Sequence, residues 1–179
     1  MPQVQIRPAV ATDVNALMGI DHSCTSDYVW QMDIQSGDGY AGAIFRKIRL
    51  PRSVTVQYPR PLAALSEDWS RRSGALVATI GKEIVGYVRM TDKLLPRVAW
   101  VTDLVVAPRH RHQGIGSTLL LAAQSWALDR KNRQIVLEML SKNNAAIRLA
   151  QKLGYEFCGY NDHYYETQDI AIFFGRALP

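Results

Sequence analysis

The chain has 179 residues, of which 47% are apolar and 21% are charged, and its formal net charge is +5 at pH 7. This length and balance are typical of a soluble globular protein, so residues 1–179 are expected to form one domain. No apolar run approaches the ~20 residues of a membrane span, and the first residues lack the features of a signal peptide, so no membrane partner is expected.

The net charge indicates which partners to expect, and the cysteine content indicates the compartment. A basic chain attracts a polyanionic cofactor, and it attracts nucleic acid as well. The sequence has no zinc-finger spacing and no aromatic RNA-binding signature, so nucleic acid is not an expected partner. Two cysteines, Cys24 and Cys158, do not make a disulfide framework, which favours a cytoplasmic location.

The first half of the chain is predicted to consist mostly of strands. The predicted strands are Val4–Pro8, Tyr28–Ile34, Ile44–Leu50, Ser53–Tyr58, Leu76–Ile80 and Ile84–Met90. Two helices are predicted, over Ala9–Cys24 and Leu62–Arg72. We expect one hairpin around Pro51-Arg52 and another over Gly81.

Residues 26–61 are expected to be a β-rich insertion that shapes the site of the acceptor. Five basic residues lie there: Arg46, Lys47, Arg49, Arg52 and Arg60. They could be a solvated strand face, a wall that contacts the acceptor, or the edge of a homodimer, and the sequence leaves these alternatives open.

The second half is predicted to alternate strands and helices before ending on two strands. The predicted strands are Val101–Val106, Arg133–Leu140, Tyr155–Tyr160 and Asp169–Leu178. One predicted helix begins at Ile115, and the other covers Asn144–Leu153 before Gly154. The fold is therefore expected to be mixed α/β.

A basic, glycine-bearing turn joins strand Val101–Val106 to the helix that begins at Ile115. The first N–H groups of a helix lack intrahelical partners and carry partial positive charge, so they bind anions. Gly114 and Gly116 let the backbone approach a phosphate closely, and Arg111 offers a forked guanidinium. The turn therefore predicts a phosphate or pyrophosphate ligand. Neither the dinucleotide fingerprint nor the P-loop pattern is present.

The run R-H-Q-G-I-G-S-T-L-L, from Arg111 to Leu120, resembles the coenzyme A pyrophosphate loop of the GNAT superfamily of N-acetyltransferases. The later run L-E-M-L-S-K-N, from Leu137 to Asn143, is similar to the next strand of that superfamily. The helix that follows ends on Leu153-Gly154-Tyr155, as in the same superfamily.

This resemblance implies a GNAT-like fold, with a mostly antiparallel twisted sheet and helices on both faces. It also implies that acetyl-CoA enters a V-shaped gap between the strands before and after the basic turn. Backbone groups of Leu104, Val105 and Val106 would pair with the cofactor there. The other implied cofactor contacts are Arg111, His112, Gln113, Gly114, Ile115, Gly116, Ser117 and Asn143. Asn143 is also a candidate helix N-cap, and the two roles are compatible. His110 and His112 have no accompanying carboxylate or cysteine, so no metal is expected.

Direct acetyl transfer to an amine needs a base, an oxyanion donor and an acid for the leaving group. Asp103 shares a strand face with Val105 and is the predicted base, ahead of Glu138. The oxyanion donor would be a backbone N–H near Val105 or Val106. Relatives often carry a tyrosine that acts as the general acid where this chain has Ala150. Tyr164 is the substitute that we predict for it. Ala150→Tyr is then expected to rescue Tyr164→Phe in part, if the pocket has room.

The resemblance implies an acetyl-CoA-dependent N-acetyltransferase that acts on a primary amine of a small molecule. The segment Gly159–Phe174 is similar to streptothricin-type acetyltransferases, and its carboxylates, Asp162, Glu166 and Asp169, would suit a cationic amine. The alternatives are a protein N-terminal or lysine acetyltransferase and a catalytically inactive CoA-binding sensor or scaffold.

Overall fold

The computed structural model describes residues 3–67 and 74–179. Its strands are β1 (Val4–Pro8), β2 (Cys24–Gly37), β3 (Tyr40–Val56), β4 (Gly74–Ile80), β5 (Glu83–Leu95), β6 (Val98–Val106), β7 (Gln134–Leu140), β8 (Glu156–Asn161) and β9 (Ala171–Ala177). Its helices are α1 (Val14–Met18), α2 (Ala64–Glu67), α3 (Ile115–Asp129) and α4 (Asn144–Lys152), with short 3-10 turns at Ala11–Asp13 and Pro108–His110.

Seven strands form the central sheet in the order β1-β4-β5-β6-β7-β9-β8. Within the part of the chain that the structure describes, β6 and β7 are the one parallel pair in this sheet, and the other neighbours are antiparallel. The prediction of a mixed α/β fold with a mostly antiparallel sheet is confirmed.

The sheet opens between β6 and β7. Their pairing runs from Val98 opposite Gln134 to Val101 opposite Leu137 and then stops. On the outer sides the ladders continue, to Val106 on β6 and to Leu140 on β7. The two strands therefore diverge over their last residues, as the V-shaped gap requires.

Helices cover both faces of the sheet. On one face, apolar residues of α3 and α4, such as Leu119 and Ile147, pack into the main core with β4, β5, β6 and β7. On the other face, Leu17 of α1 and Leu65 of α2 pack against Val77, Tyr87 and Val105. The register with β5 shifts between Val101 and Asp103, and beyond this shift Leu104 and Val106 pack against the main core. Asp103 and Val105 alternate with them and point to this second face.

The turn before α3 has the backbone geometry that its glycine predicts. Gly114 lies directly before α3 with φ +85°, a left-handed conformation that costs glycine little. His112 adopts a positive φ of 61° in the same turn. The predicted helix start at Ile115 is confirmed.

Residues 24–56 form a long two-stranded ribbon, β2–β3, outside the central sheet. The predicted hairpin around Pro51-Arg52 is wrong, because the chain turns at Asp38-Gly39, between Gly37 and Tyr40. Gly39 has φ +81° there, as an Asp-Gly hairpin turn requires. Pro51 is tolerated within β3 because the register shifts opposite Asp27, where no regular ladder bond is needed.

The N-terminal helix is shorter than predicted. The expectation of a helix over Ala9–Cys24 ran through Gly19, but α1 ends at Met18 and Cys24 starts β2, opposite Val56. Part of the predicted helix Leu62–Arg72 lies outside the described residues, and Ala64–Glu67 is helical. No helix in the described ranges is long and apolar enough to cross a bilayer.

Candidate active site

A pocket lies in the gap between the diverging ends of β6 and β7. From β6 it is lined by residues 101–105, and from β7 by Leu137 to Leu140. The loop after β3 contributes Gln57 to Arg60, and the start of α4 contributes Asn143, Ala146 and Leu149. The pocket therefore joins the expected cofactor gap to residues of the insertion 26–61.

The predicted cofactor residues of the basic turn lie together at one end of this gap. The Gly114 backbone is exposed, and a Cβ at this position would meet no atom within 4 Å, so the space in front of it is open. A Cβ on Gly116 would lie 3.2 Å from Leu149, which lines the pocket. The turn thus fits a bulky phosphate group. Ile115 is buried in the core, so only its backbone could contact a cofactor.

Arg111 holds the turn in place. Its Nε donates to the carbonyl of Val106 at 2.9 Å, and its Nη2 donates to the carbonyls of Ser23 and Asp21 at 2.8 and 3.1 Å. The guanidinium that was expected on a phosphate is thus engaged with three backbone carbonyls. Gln113 likewise donates to the carbonyl of Arg109, at 3.1 Å.

Asn143 is a helix cap that also lines the pocket. Its Oδ1 accepts a hydrogen bond from the N–H of Ala146 at 3.1 Å at the start of α4. Trp30 of the ribbon donates to the next residue, Asn144, at 3.2 Å, so the ribbon is tied to the same helix start. The capping role proposed for Asn143 is confirmed.

Asp103 is buried at the pocket and surrounded by donors. Its side chain has no exposed surface. Tyr58 donates a hydrogen bond to Oδ1, and the hydroxyl of Thr102 donates to Oδ2 at 2.8 Å. Arg60 Nη1 lies 3.7 Å from Oδ1, and Arg89 Nε lies 3.9 Å from Oδ2. These two cations compensate the buried negative charge.

Glu138 sits across the gap from Asp103 and gathers a second set of donors. Arg60 Nη2 pairs with Oε1, while the indole of Trp100 and the hydroxyl of Tyr164 donate to Oε2 at 2.7 and 3.0 Å. Arg60 also donates to the carbonyl of Thr102 at 3.2 Å. One guanidinium therefore bridges the two diverging strands.

The charge of this bridge is fixed by its surroundings. Burial lowers the pKa of Arg60, but the attraction of Glu138 and Asp103 outweighs it, so the net shift is upward. Burial and the charge of Asp103 raise the pKa of Tyr58, which keeps its proton on the oxygen. Both side chains therefore act as permanent donors at neutral pH.

A tyrosine at position 150 would have no room. Ala150 has no exposed surface and packs in the main core, and it does not line the pocket. The expectation that Ala150→Tyr could rescue a lost acid is therefore wrong, because the larger side chain would overpack the core.

The fold and the pocket agree with what comparison with known proteins shows. The profile of the Acetyltransferase (GNAT) family matches residues 44–155, more than half of the chain. The chain belongs to the GNAT acetyltransferase family. It is therefore an N-acetyltransferase, and its cofactor is acetyl-CoA.

Its relatives include antibiotic acetyltransferases. The chain is 27% identical over 168 residues to the streptothricin acetyltransferase of Streptomyces lavendulae. The aligned region covers 90% of this chain and 86% of that protein. It is 29% identical over 102 residues to the streptothricin acetyltransferase of Escherichia coli, covering 57% of this chain and 58% of that protein.

Solved structures share the fold of this chain. The crystal structure of nourseothricin acetyltransferase matches with a TM-score of 0.84 and 25% identity, covering 98% of this chain and 99% of that one. A streptothricin acetyltransferase structure from Bacillus anthracis, in complex with acetyl coenzyme A, matches with a TM-score of 0.78 and 18% identity. It covers 98% of this chain and 100% of that one, and it shares the fold.

The GNAT pocket contains residues that sequence reasoning did not select. His22, Tyr58 and Tyr165 line it, and Arg60 was considered only as one of several basic residues. None of them lies in a recognisable motif, and each reaches the pocket from a loop. By contrast, Asp162, Glu166 and Asp169 do not line it, and Asp169 pairs with Lys142.

Proposed function

We propose that this GNAT enzyme transfers the acetyl group of acetyl-CoA directly to a primary amine of a small molecule of the streptothricin type, in the cytoplasm. One observation carries the choice of acceptor, namely 27% identity to a streptothricin acetyltransferase over 90% of the chain. Similarity over 90% of the chain extends beyond the cofactor half into the insertion 26–61, where acceptor contacts are expected.

The residues of the basic turn and of β6 would hold acetyl-CoA, which supplies the activated acetyl group. Backbone N–H groups at the start of α3, from Gly114 to Ser117, have no intrahelical partners and suit a pyrophosphate, and the space in front of Gly114 is open. His112 and Gln113 are exposed beside them. Beyond Val101, β6 has no pairing with β7, so the backbone of Leu104 and Val106 is available on that side, apart from the Val106 carbonyl that Arg111 occupies. Val105 lies opposite Tyr87, and its carbonyl faces β5, so its backbone is not available to the cofactor.

Asp103 is the base that we propose for the acceptor amine. It lines the pocket on β6, three residues before Val106, whose backbone N–H is the oxyanion donor of this proposal. In this proposal its carboxylate takes the proton of the acceptor amine.

Tyr164 is the acid that we propose, on the condition that its hydroxyl can leave its present hydrogen bond. Its hydroxyl donates to Glu138 at 3.0 Å, so it must leave that bond to reach a leaving group. Tyr164 is absent from the pocket lining, whereas its neighbour Tyr165 is present. A coenzyme A thiol is about as acidic as a cysteine, with a pKa near ~8.5, so transfer does not depend strictly on an acid.

The insertion 26–61 is proposed to form the acceptor wall. Its last residues, Val56 to Arg60, line the pocket, and Arg60 bridges Asp103 and Glu138. The basic residues Arg46, Lys47 and Arg49 lie farther along the ribbon and are exposed, and Arg46 pairs with Asp33, so we assign them to a homodimer edge rather than to the acceptor.

The test is product identification. The purified enzyme is incubated with acetyl-CoA and streptothricin, and the product is analysed by mass spectrometry with fragmentation. The expected product is streptothricin that carries one acetyl group on an amine. Acetylation of peptide N-termini or lysines, with streptothricin unchanged, would instead identify a protein acetyltransferase. Binding of acetyl-CoA without transfer to any amine would identify a sensor.

A further inference from the structure

Residues 21–24 connect α1 to β2 and form part of the pocket wall. His22 and Cys24 both line the pocket. Residues 21–23 belong to no helix or strand, so backbone pairing within a sheet does not fix their position. The shape of this wall therefore depends on contacts that reach it from other parts of the molecule.

Arg111 supplies such a contact from the basic turn. Its Nη2 donates to the carbonyls of Asp21 and Ser23 at 3.1 and 2.8 Å, and these two residues flank His22. Its Nε donates to the carbonyl of Val106, at the end of β6, at 2.9 Å. Three of the five guanidinium N–H groups are thus used, which leaves Nη1 for a phosphate. One side chain therefore ties this wall to the end of β6.

His22 extends the contact toward the proposed base. Its ring packs against the ring of Tyr58, with centroids 4.8 Å apart. Its Nε2 also lies 2.8 Å from the hydroxyl of Tyr87 on β5, so the imidazole is held from two sides. Tyr58 in turn donates a hydrogen bond to Asp103. A displacement of His22 would therefore change how Tyr58 meets Asp103.

We infer that Arg111 is a positioning residue for the acceptor side of the pocket, and that it acts on Asp103 through His22 and Tyr58. This role differs from the phosphate contact that the sequence predicts for the same side chain. The contacts on which it depends are direct and continuous from the turn to the base.

The cofactor side depends less on this guanidinium. The N–H groups that suit a pyrophosphate belong to the start of α3. The turn before them has hydrogen bonds of its own, from the N–H groups of His110 and Arg111 to the carbonyls of Ala107 and Pro108, at 2.8 and 3.3 Å. Loss of the Arg111 side chain should therefore impair use of the acceptor much more than binding of acetyl-CoA.

The test compares Arg111→Gln and Arg111→Lys with wild type. Neither replacement reproduces the forked donor geometry that reaches all three carbonyls. We expect both to lower kcat/KM for the acceptor amine at least ~10-fold, because a small misplacement of a catalytic group is costly. The Kd of acetyl-CoA, measured by calorimetry, should stay within about threefold of wild type. If Arg111 binds phosphate instead, Arg111→Gln should weaken acetyl-CoA binding and Arg111→Lys should largely preserve it, and this result would overturn the inference.

A double variant tests the route through His22. His22→Gln should by itself lower kcat/KM for the acceptor. If Arg111 acts through His22, the combination of Arg111→Lys with His22→Gln should be no slower than the slower single variant. Effects that multiply would mean that the two residues act independently, and would overturn the route.

Arg176→Lys is the matched control. Arg176 also donates to a backbone carbonyl, that of Leu153, but it does not line the pocket. This variant should match wild type in both measurements. A similar loss of acceptor kcat/KM would mean that any such bond stabilises the enzyme in general, and would overturn the specific role of Arg111.

This inference rests on the proposed function, and the imidazole NMR signals of His22 separate the two. They should shift in Arg111→Lys and remain in place in Arg176→Lys, whether or not an amine is acetylated. If wild type acetylates no amine while these shifts appear, the proposed function alone fails. Unchanged His22 signals in Arg111→Lys would overturn the inference.

Discussion

Asp103 combines burial, negative charge and a position on the pocket, and these make it the residue whose loss should be most informative. Asp103→Asn keeps the shape and an oxygen that Tyr58 can donate to, but it removes the charge between Arg60 and Arg89. We expect kcat to fall by ~10²-fold or more, since a positioned base contributes that much. Acetyl-CoA affinity, measured by calorimetry, should remain within about twofold. A variant with nearly normal kcat would eliminate Asp103 as the base.

Tyr164 and Tyr165 lie next to each other, yet they meet the pocket differently. Tyr164 donates to Glu138 and is partly exposed, while Tyr165 is buried and lines the pocket, with the guanidinium of Arg60 5.2 Å from its ring centre. If Tyr164 is the acid, Tyr164→Phe should slow single-turnover acetyl transfer by ~10²-fold and leave acetyl-CoA affinity unchanged. A silent Tyr164→Phe would mean that the hydroxyl serves only to hold Glu138.

The turn before α3 carries the cofactor prediction as a unit. Gly116→Asp brings a carboxylate to the helix start, so we expect it to weaken acetyl-CoA binding by repelling the pyrophosphate. Gly116→Ala is the control for bulk, because its Cβ meets the flexible Leu149 side chain at 3.2 Å and the Val106 side chain at 3.9 Å. Calorimetry should show a large loss for the aspartate and a small one for the alanine. Equal losses would point to packing rather than to phosphate binding.

Substitutions on helix α4 test how closely the core packs against its buried face. Ala150→Tyr should destabilise the protein by about 1–3 kcal/mol in chemical denaturation, because it overpacks a residue with no exposed surface. Ala145 lies on the exposed side of the same helix, so Ala145→Tyr should leave stability nearly unchanged. A stable Ala150→Tyr variant would mean that the core beside α4 has unfilled space.

The connection from β1 to α1 depends on one carboxylate. Asp13 accepts from Arg7 at 2.7 and 2.9 Å and from the N–H of Val10 at 2.9 Å. The bond from Arg7 contributes most to a lowered pKa of Asp13, against burial, which acts the other way. A lowered pKa means that this stabilisation is present above the unfolded value near ~4 and is lost as the pH falls through the folded value.

Asp13→Asn should therefore lower the unfolding free energy at pH 7, and its difference from wild type should shrink as the pH falls below ~4. Asp33→Asn removes the more exposed pair with Arg46 and should have little effect at either pH. Urea denaturation at several pH values measures both. A difference between Asp13→Asn and wild type that does not change with pH would contradict the ionic origin of the effect.

Local signals predicted the cofactor half of the molecule well, and its acceptor half poorly. The strand before Pro108, the glycine turn and the Asn143 cap each have a short-range cause, so periodicity and capping rules located them. The pairing of β2 with β3 depends on an Asp-Gly turn that ends 12 residues before Pro51. The hairpin was predicted at Pro51 because proline is typical of turns, but here it lies within β3. The polar cluster around Asp103 joins residues from four separate parts of the chain, and no local pattern indicates it.

The most direct test of the whole account is the initial rate of free thiol release from acetyl-CoA with streptothricin as acceptor, compared with a peptide of equal concentration that has a free N-terminus. The account predicts release that depends on streptothricin, that saturates, and that greatly exceeds release with the peptide. Thiol release that is the same with and without streptothricin, or that is faster with the peptide, would contradict it.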